Sequence, residues 1–342
     1  MTKINWGVIG FGNAANSFIN SIKYNSNVNL YGVSSVSNYK NLLLKKKNDL
    51  LTIKVFDNHL KLLNNKSIDA VYIALTNNLH YELIIKSLKS NKHVLTEKPA
   101  CENSKDYKNC VSLAKKKNLI LTENIMYRHH PQTIKIIEII KSGLIGKVKK
   151  VISKCGFDVS NKIFGFETKK INYDSRLLNK NLGGGAILDL GCYPLSMATL
   201  VNRISNKNKR NMPKIIKINK KIGKSNVDEF ASIEILYSDN MCSQIEVAIK
   251  KKLQNIVLIE GSKGDLKILS PWLPDKNFFF EITKLNNEKN IYRYNCESTL
   301  INYVIKKISD AILLKKKLKY PIISNEETYS YLKIIDLWRA YI

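Results

Sequence analysis

Short apolar runs alternate with helical patterns along the first 124 residues. The runs that predict β-strands cover residues 4–9, 28–34, 53–56, 69–75, 93–96 and 119–122. Segments with apolar residues at helical spacing lie between them, at 14–23, 39–47, 81–90 and 104–117. Strands that alternate with helices are typical of parallel βαβ units. The pattern predicts an α/β domain over residues 1–124, built on a doubly wound parallel sheet.

The rhythm changes after residue 124. A predicted helix at 131–142 and a strand at 147–154 precede three consecutive glycines at 183–185 and another helical segment. Strands then follow one another at 215–222, 230–237, 241–247, 255–261 and 264–269, with turn sequences at 238–240 and 261–264. Successive strands joined by short turns pair antiparallel. We therefore expect residues 125–342 to form an α+β domain on a mostly antiparallel open sheet, with a terminal helix at 326–341.

The composition is that of a folded globular protein with an excess of lysine. Hydrophobic residues make up 44% of the 342 positions, and 56 Lys plus Arg face 28 Asp plus Glu, for a net charge of +28. Arginine, which forks onto base edges in nucleic-acid readers, is scarce. No helix-turn-helix, zinc or aromatic-platform signature accompanies the charge. We interpret it as a compositional bias, with anionic ligands as the alternative, and expect no nucleic-acid partner.

The cysteines and the N-terminal segment bear on location. The six cysteines form no CxxC pair and have no histidine at metal-ligand spacing, so we expect reduced thiols and no metal site; they are Cys101, Cys110, Cys155, Cys192, Cys242 and Cys296. The first ten residues lack the pattern of a signal peptide, and no apolar run has the length of a membrane span. The sequence predicts a cytoplasmic protein without a membrane partner.

A GxGxxA sequence at residues 10–15 directly follows the first predicted strand and precedes the first predicted helix. In such a turn the first glycine makes a tight bend, the second admits a pyrophosphate close to the backbone, and the helix N-terminus faces the phosphates. A plain tight turn is the alternative. We interpret the segment as the dinucleotide site of a Rossmann domain, with these cofactor contacts: Gly10, Phe11, Gly12, Asn13 and Ala14.

The second predicted strand ends without the carboxylate that usually bonds the ribose 2′-hydroxyl of NAD. No acidic residue precedes Asp49. Ser35, Ser37 and Lys40 occupy the expected region, and hydroxyls and an ammonium suit a 2′-phosphate, which a carboxylate would repel. The sequence therefore predicts NADP in preference to NAD.

Two further segments carry groups suited to proton transfer. Lys98, in Glu97-Lys98-Pro99, follows the fifth predicted strand, at the sheet edge where ligands of such folds bind. Asp189 and Tyr193 are four residues apart, so on a helix they share one face. A phenol near an amine can exchange a proton with a substrate hydroxyl, and a carboxylate can orient the ligand or the amine. The alternatives are a surface lysine, a capping aspartate and a core tyrosine.

These segments together resemble the Gfo/Idh/MocA oxidoreductase family. The matching motifs are GFGNAA at 10–15, TNNLH at 76–80, KHVLTEKP at 92–99, MYRHHPQ at 126–132, GLIGKV at 143–148, and GGG at 183–185 through DLGCY at 189–193. The resemblance implies a Rossmann domain, a C-terminal α+β domain whose open sheet joins subunits into a dimer or tetramer, and an active site between the domains.

The resemblance also implies roles for particular residues. Lys98 matches the family's lysine near the nicotinamide, often before a cis-proline, and several residues match its cofactor side: Leu75, Thr76, Asn77, His80, Glu97 and Lys98. Tyr193 is similar to the proposed proton donor or acceptor of one branch, which contains glucose-fructose oxidoreductase, dimeric dihydrodiol dehydrogenases and NADP-dependent xylose dehydrogenases. Val36 stands where an arginine commonly binds the 2′-phosphate.

The resulting hypothesis is an NADP-dependent oxidoreductase that moves a hydride between nicotinamide and a secondary alcohol or carbonyl of a sugar or sugar derivative. Lys98, Asp189 and Tyr193 would be catalytic, and the predicted substrate contacts are Tyr127, Arg128 and Arg176. The alternative is a non-catalytic, NADP-sensing regulator on the same fold. Retention of all three proton-transfer residues favours the enzyme, since a sensor does not need them.

Overall fold

The computed structural model describes residues 3–49, 53–160, 162–163, 166–167, 171–205 and 212–341. The chain forms two compact units, one of Met1–Asn124 with Ile301–Tyr329 and one of Ile125–Leu300 with Ser330–Ile342. The predicted division into domains 1–124 and 125–342 stays a prediction. The structure adds that the segment after residue 300 packs with the first unit, where Trp6 Nε1 donates a hydrogen bond to Ser309 Oγ at 3.0 Å.

The first unit contains a six-stranded sheet in the order β3-β2-β1-β4-β5-β6. All of its neighbouring strands are parallel. The strands are β1 (Ile4–Ile9), β2 (Val28–Ser34), β3 (Lys54–Phe56), β4 (Ala70–Ile73), β5 (His93–Thr96) and β6 (Leu121–Glu123). This topology confirms the predicted doubly wound parallel sheet.

Five helices connect these strands: α1 (Asn13–Ile22), α2 (Tyr39–Asp49), α3 (His59–Leu63), α4 (Asn77–Lys89) and α5 (Ser104–Lys116). Helix α1 buries Ala15, Phe18, Ile19 and Ile22, the i, i+3, i+4, i+7 pattern of a helix that packs on a sheet. The sequence pattern did not predict α3, because five residues are too few to show a helical period.

The second unit contains an eight-stranded sheet in the order β10-β11-β12-β7-β13-β14-β15-β16. Its strands are β7 (Val148–Gly156), β10 (Lys214–Ile222), β11 (Asp228–Leu236), β12 (Cys242–Ala248), β13 (Ile256–Gly261), β14 (Gly264–Ile268), β15 (Asn277–Lys284) and β16 (Lys289–Asn295). All neighbours are antiparallel except β12 and β7. The short strands β8 (Lys162–Ile163) and β9 (Phe166–Glu167) pair separately. The mostly antiparallel second sheet is confirmed.

Helices α6 (Pro131–Lys141), α7 (Ala186–Leu190) and α8 (Cys192–Ser205) belong to the second unit. Helices α7 and α8 both contact β7 and β12. Within the described residues, one helical stretch, 180–205, has the length and apolar composition of a membrane span, but 89% of its most apolar window is buried inside the protein. That burial identifies it as the core helix of the unit.

Two helices complete the chain, α9 (Leu300–Leu313) and α10 (Asn325–Ala340). The predicted terminal helix is therefore confirmed, whereas α9, β15 and β16 were not predicted. Along β16, exposed and half-buried residues alternate, as is typical of an edge strand. Its polar sequence hides the period of two that the pattern analysis requires.

Candidate active site

The turn after β1 has the geometry of a phosphate cradle. Gly10 has a φ of +114°, and a Cβ there would lie 2.3 Å from Ala74 O, whereas a Cβ at Gly12 would meet nothing within 4 Å. Asn16 Nδ2 donates to Phe11 O and Gly12 O. Among the residues that the structure describes, no side chain caps α1, and its first turn holds no acidic residue. The turn therefore leaves open space beside the N-terminus of α1, where an anion such as the pyrophosphate of a dinucleotide binds.

The other residues predicted to bind the cofactor near β2 differ in exposure. Ser35 is buried, and its Oγ accepts a hydrogen bond from Asn38 N at 3.1 Å. Ser37 and Lys40 are exposed. A cleft of about 210 Å³ opens beside this turn and is lined by Val36, Asn58, His59, Leu60, Leu79, Glu82, Leu83 and Lys86. The sequence analysis did not identify the α3 side of this cleft, because it did not predict that helix.

His80 connects α4 with the loop that carries Lys98. The imidazole is fully buried, with Nδ1 2.8 Å from Pro99 O and Nε2 3.2 Å from Leu75 O. Burial lowers the pKa of His80, although the two carbonyls and Glu97 act in the opposite direction. The ring is therefore neutral at pH 7 and has one N–H, which the shorter contact assigns to the bond with Pro99 O. His80 thus ties helix α4 to the loop that carries Lys98.

Hydrogen bonds hold the residue before Lys98. The Lys98–Pro99 peptide bond is cis, and Lys98 itself is half-buried. The Glu97 carboxylate accepts hydrogen bonds from the Tyr72 hydroxyl and from Asn124 Nδ2, the latter at 2.7 Å. Tyr72 is buried and stacks on Phe18. The backbone before Lys98 is therefore tied to the core of the sheet.

A buried carboxylate holds the residues after Lys98. Glu123 is fully buried; its Oε1 accepts from Ala100 N at 2.8 Å and its Oε2 from Thr328 Oγ1 at 3.1 Å. The sequence analysis missed Tyr72, Glu123 and Asn124. The available signal was the Glu-Asn pair at the end of the sixth strand, since acidic and amide groups there lie at the ligand-binding edge of a parallel sheet.

Asp189 and Tyr193 lie on one continuous helical path in the second unit. Gly191, between α7 and α8, has helical angles of φ −61° and ψ −27°, so the spacing of four brings the two side chains to the same face. Asp189 Oδ1 accepts from Arg176 Nη1 at 2.6 Å. The carboxylate is 4% exposed and the guanidinium is 51% exposed. The buried carboxylate thus has an accessible cationic partner.

Aromatic packing surrounds Tyr193, which is 8% exposed. Its ring stacks with Trp272 at a centroid distance of 6.1 Å, and Tyr127 meets the same indole edge-on at 5.9 Å. Trp272 Nε1 donates to Lys154 O at 3.1 Å. The sequence analysis missed Trp272; its signal was a tryptophan between two prolines in the loop at 270–274.

Two of the predicted substrate contacts touch the backbone of α8. The Tyr127 hydroxyl bonds Ser196 Oγ at 2.6 Å, and Ser196 Oγ donates to Tyr193 O at 2.9 Å. Arg128 is fully buried and donates from Nη1 to Ser196 O at 2.9 Å. These contacts position Tyr193. The assignment of Tyr127, Arg128 and Arg176 to the substrate pocket stays a prediction.

The three glycines before α7 place that helix against β11. Gly185 has a φ of +113°, and a Cβ there would lie 2.5 Å from Asp228 Oδ1. Asp228 Oδ2 accepts from Ile187 N at 2.6 Å, in the first turn of α7. Burial raises the pKa of Asp228 to about 6, although the Ile187 N–H, Arg339 and Lys220 favour the ionised form. Only glycine leaves room for this carboxylate at the helix start.

Comparisons with known proteins agree with this fold. A model described as an oxidoreductase family with an NAD-binding Rossmann fold matches residues 4–125, and a GFO/IDH/MocA C-terminal domain matches residues 133–267. A dTDP-3,4-didehydro-2,6-dideoxy-alpha-D-glucose 3-reductase from Saccharopolyspora spinosa is 37% identical over 138 residues, which are 40% of this chain but only 38% of that protein. A D-xylose 1-dehydrogenase (NADP(+)) from Hypocrea jecorina is 25% identical, over 83% of this chain and 76% of its own.

A solved structure shows the same fold over nearly the whole chain. The 3-ketoreductase from Actinomadura kijaniata, crystallised with NADP and TDP-benzene, superposes with a TM-score of 0.83 at 20% identity, covering 99% of this chain and 97% of its own. The resemblance found in the sequence motifs is thus confirmed. Because the two domain matches together span most of its length, the chain belongs to the GFO/IDH/MocA family of oxidoreductases.

Proposed function

We propose that the protein is an NADP-dependent oxidoreductase that moves a hydride between the nicotinamide and a secondary alcohol or carbonyl of a sugar or sugar derivative. The observation that carries the proposal is the anchoring of Lys98, whose neighbours on both sides are hydrogen-bonded to the buried residues His80, Glu123 and Asn124 of the first unit. A lysine that served only as a solvated surface charge would not need such anchoring. Relatives in the family act on sugar substrates, as their names state.

The proposed roles follow from the chemistry of the side chains. Bound NADP supplies the carbon that accepts or gives the hydride. Tyr193 exchanges a proton with the substrate oxygen, and Lys98 lowers the pKa of that phenol and polarises the same oxygen. Asp189, paired with Arg176, orients the ligand. Trp272 and Ser196 hold Tyr193 in place for this step.

NADP is the proposed cofactor for a reason of charge. No acidic residue lies between the end of β2 and Asp49, and the turn offers Ser35, Ser37 and Lys40 instead. The xylose dehydrogenase relative is named for NADP(+), and the superposed ketoreductase was solved with NADP. The turn after β1 has room for the pyrophosphate, because Gly12 has no side chain and even a Cβ there would meet nothing within 4 Å.

The test is a substrate screen with the wild-type chain. Neutral sugars, sugar phosphates and nucleotide sugars would be followed by the absorbance of NADPH, with NADH in parallel. We expect turnover with at least one member and a preference for NADPH. A chain that binds NADPH but turns over no member of the panel would instead support the sensing regulator. Salt-dependent affinity for an anionic sugar would show that the lysine excess acts on the substrate.

We also propose that the open face of the second sheet joins two copies of this chain. Charged and apolar residues alternate there: Lys267 pairs with Glu281 at 3.5 Å, and Ile291, opposite Glu281 on the next strand, is 49% exposed. Both signs of charge beside exposed apolar groups suit a self-complementary contact. Light scattering should give a dimer or larger oligomer, and Ile291→Lys should lower the measured mass.

The cytoplasmic location stays a prediction.

A further inference from the structure

The cleft beside the end of β2 combines an apolar wall with two side chains that can carry a positive charge, His59 and Lys86. Val36, Leu60, Leu79 and Leu83 form the wall. Val36 is 64% exposed and has no group that can bond an anion. Side chains other than Val36 must therefore bind the 2′-phosphate if this chain is to distinguish NADP from NAD.

His59 presents a hydrogen-bond donor to this cleft. Its Nδ1 lies 2.9 Å from Ser34 Oγ, at the end of β2. Burial, and secondarily the Lys86 ammonium, lower the pKa of His59, so the ring is neutral at pH 7. In the tautomer in which the Ser34 hydroxyl donates to Nδ1, the proton of the neutral ring is on Nε2. Among the described residues, no hydrogen-bond partner contacts Nε2.

Lys86 is the second donor at the cleft. It belongs to α4 and pairs with Glu82, one turn earlier on the same helix. Both Lys86 and His59 line the cleft, and the positive charge of Lys86 contributes to the lowered pKa of His59. The cleft therefore brings two groups that can carry positive charge together with one carboxylate, which is already paired. Such a site suits a dianion, because an ammonium and an imidazole N–H can both donate to phosphate, and hydrogen bonds to an ionised acceptor are strong.

We propose that His59 Nε2 and Lys86 Nζ bind the 2′-phosphate of NADP. The assignment rests on the proposed NADP dependence. It adds two residues, one on α3 and one on α4, to Ser35, Ser37 and Lys40. The free 2′-hydroxyl of NAD offers no charge to these donors, so they discriminate between the cofactors.

Equilibrium binding tests the assignment without any substrate. NADPH and NADH would be titrated by fluorescence into the wild type, His59→Leu, Lys86→Gln and Lys61→Gln. Lys61 is the matched control, because it also pairs with an acid one turn away, Asp57, but does not line the cleft. We expect His59→Leu and Lys86→Gln each to weaken NADPH at least about tenfold, the effect of one charge-assisted hydrogen bond. NADH binding should change less than about twofold, and Lys61→Gln should leave both affinities unchanged.

A rescue variant distinguishes the loss of a phosphate contact from a general loss of structure. Val36→Arg in the His59→Leu background should restore most of the NADPH affinity, since position 36 is exposed and an arginine there can reach the phosphate. Equal weakening of NADPH and NADH would show that His59 contacts the adenosine instead, and unchanged NADPH affinity would remove both residues from the site. Either result overturns the assignment while leaving the proposed function intact. A wild type that does not prefer NADPH would refute the NADP dependence itself.

Discussion

The Lys98 segment and the Tyr193 segment are held in place by different kinds of contact. Around Lys98, buried polar groups bond the backbone and side chain of the loop: His80 to Pro99 O, Glu123 to Ala100 N, and Asn124 to Glu97. Around Tyr193, aromatic rings pack on the side chain, and the hydroxyls of Ser196 and Tyr127 donate to the backbone carbonyl.

Because the contacts differ, the two segments should be sensitive to different kinds of substitution. A buried hydrogen-bond network loses most when one partner is removed, because the other is left unsatisfied. An aromatic cluster responds to lost volume and tolerates a change of ring. Substitutions that conserve shape should therefore cost little unfolding free energy at the neighbours of Tyr193. Removal of a single hydrogen-bond partner near Lys98 should cost much more.

Removal of Trp272 should give the largest loss of stability. Trp272→Ala deletes a buried indole beside Tyr127 and Tyr193, which costs about 4 kcal/mol of unfolding free energy, whereas Trp272→Phe keeps a ring and should cost less than half of that. Urea unfolding measures both variants. In Trp272→Ala, turnover should fall at least about tenfold while NADPH affinity is retained. Trp272 belongs to the second unit, whereas the predicted NADP contacts belong to the first. Equal losses in the two variants would contradict the packing account.

Replacement of Glu123 tests the polar network. Glu123→Leu leaves Ala100 N and Thr328 Oγ1 without their acceptor, which costs about 3 kcal/mol. Glu123→Gln keeps an oxygen in place and should lose about half as much. Because Ala100 is two residues from Lys98, the leucine variant should change both turnover and NADPH affinity, unlike Trp272→Ala. If Glu123→Leu unfolds at the same urea concentration as the wild type, the carboxylate does not hold the loop.

Asp228 gives the Tyr193 segment a smaller, pH-dependent response. Its pKa is about 6 in the folded chain and ordinarily near 3.8, so the folded state favours the protonated form. The resulting stabilisation is complete below about pH 4 and is lost as the pH rises through 6. Asp228→Asn cannot ionise. We therefore expect the wild type to lose about 2 kcal/mol relative to this variant between pH 4 and pH 7. Urea titrations at several pH values measure the difference, and a constant difference would show that Asp228 is not desolvated.

Local signals explain how much of the fold and site could be predicted. The bounds of β1, β2 and β5 follow from apolar runs bounded by polar turns, and Lys98, Asp189 and Tyr193 stand out because each lies in a motif with chemical meaning. Trp272, Glu123 and Ser196 act through contacts between segments distant in sequence, which no local period reveals. His59 was missed for a related reason, since it begins a helix of only five residues.

The most direct test of the central claim is the turnover number of Tyr193→Phe and Lys98→Met, measured with the best substrate from the screen. Tyr24→Phe and Lys108→Met, at exposed positions, are the matched controls. The account predicts at least about a hundredfold loss of turnover for both site variants, the range of general acid–base catalysis, with NADPH still bound and the controls unaffected. Near-wild-type turnover in both site variants would contradict it.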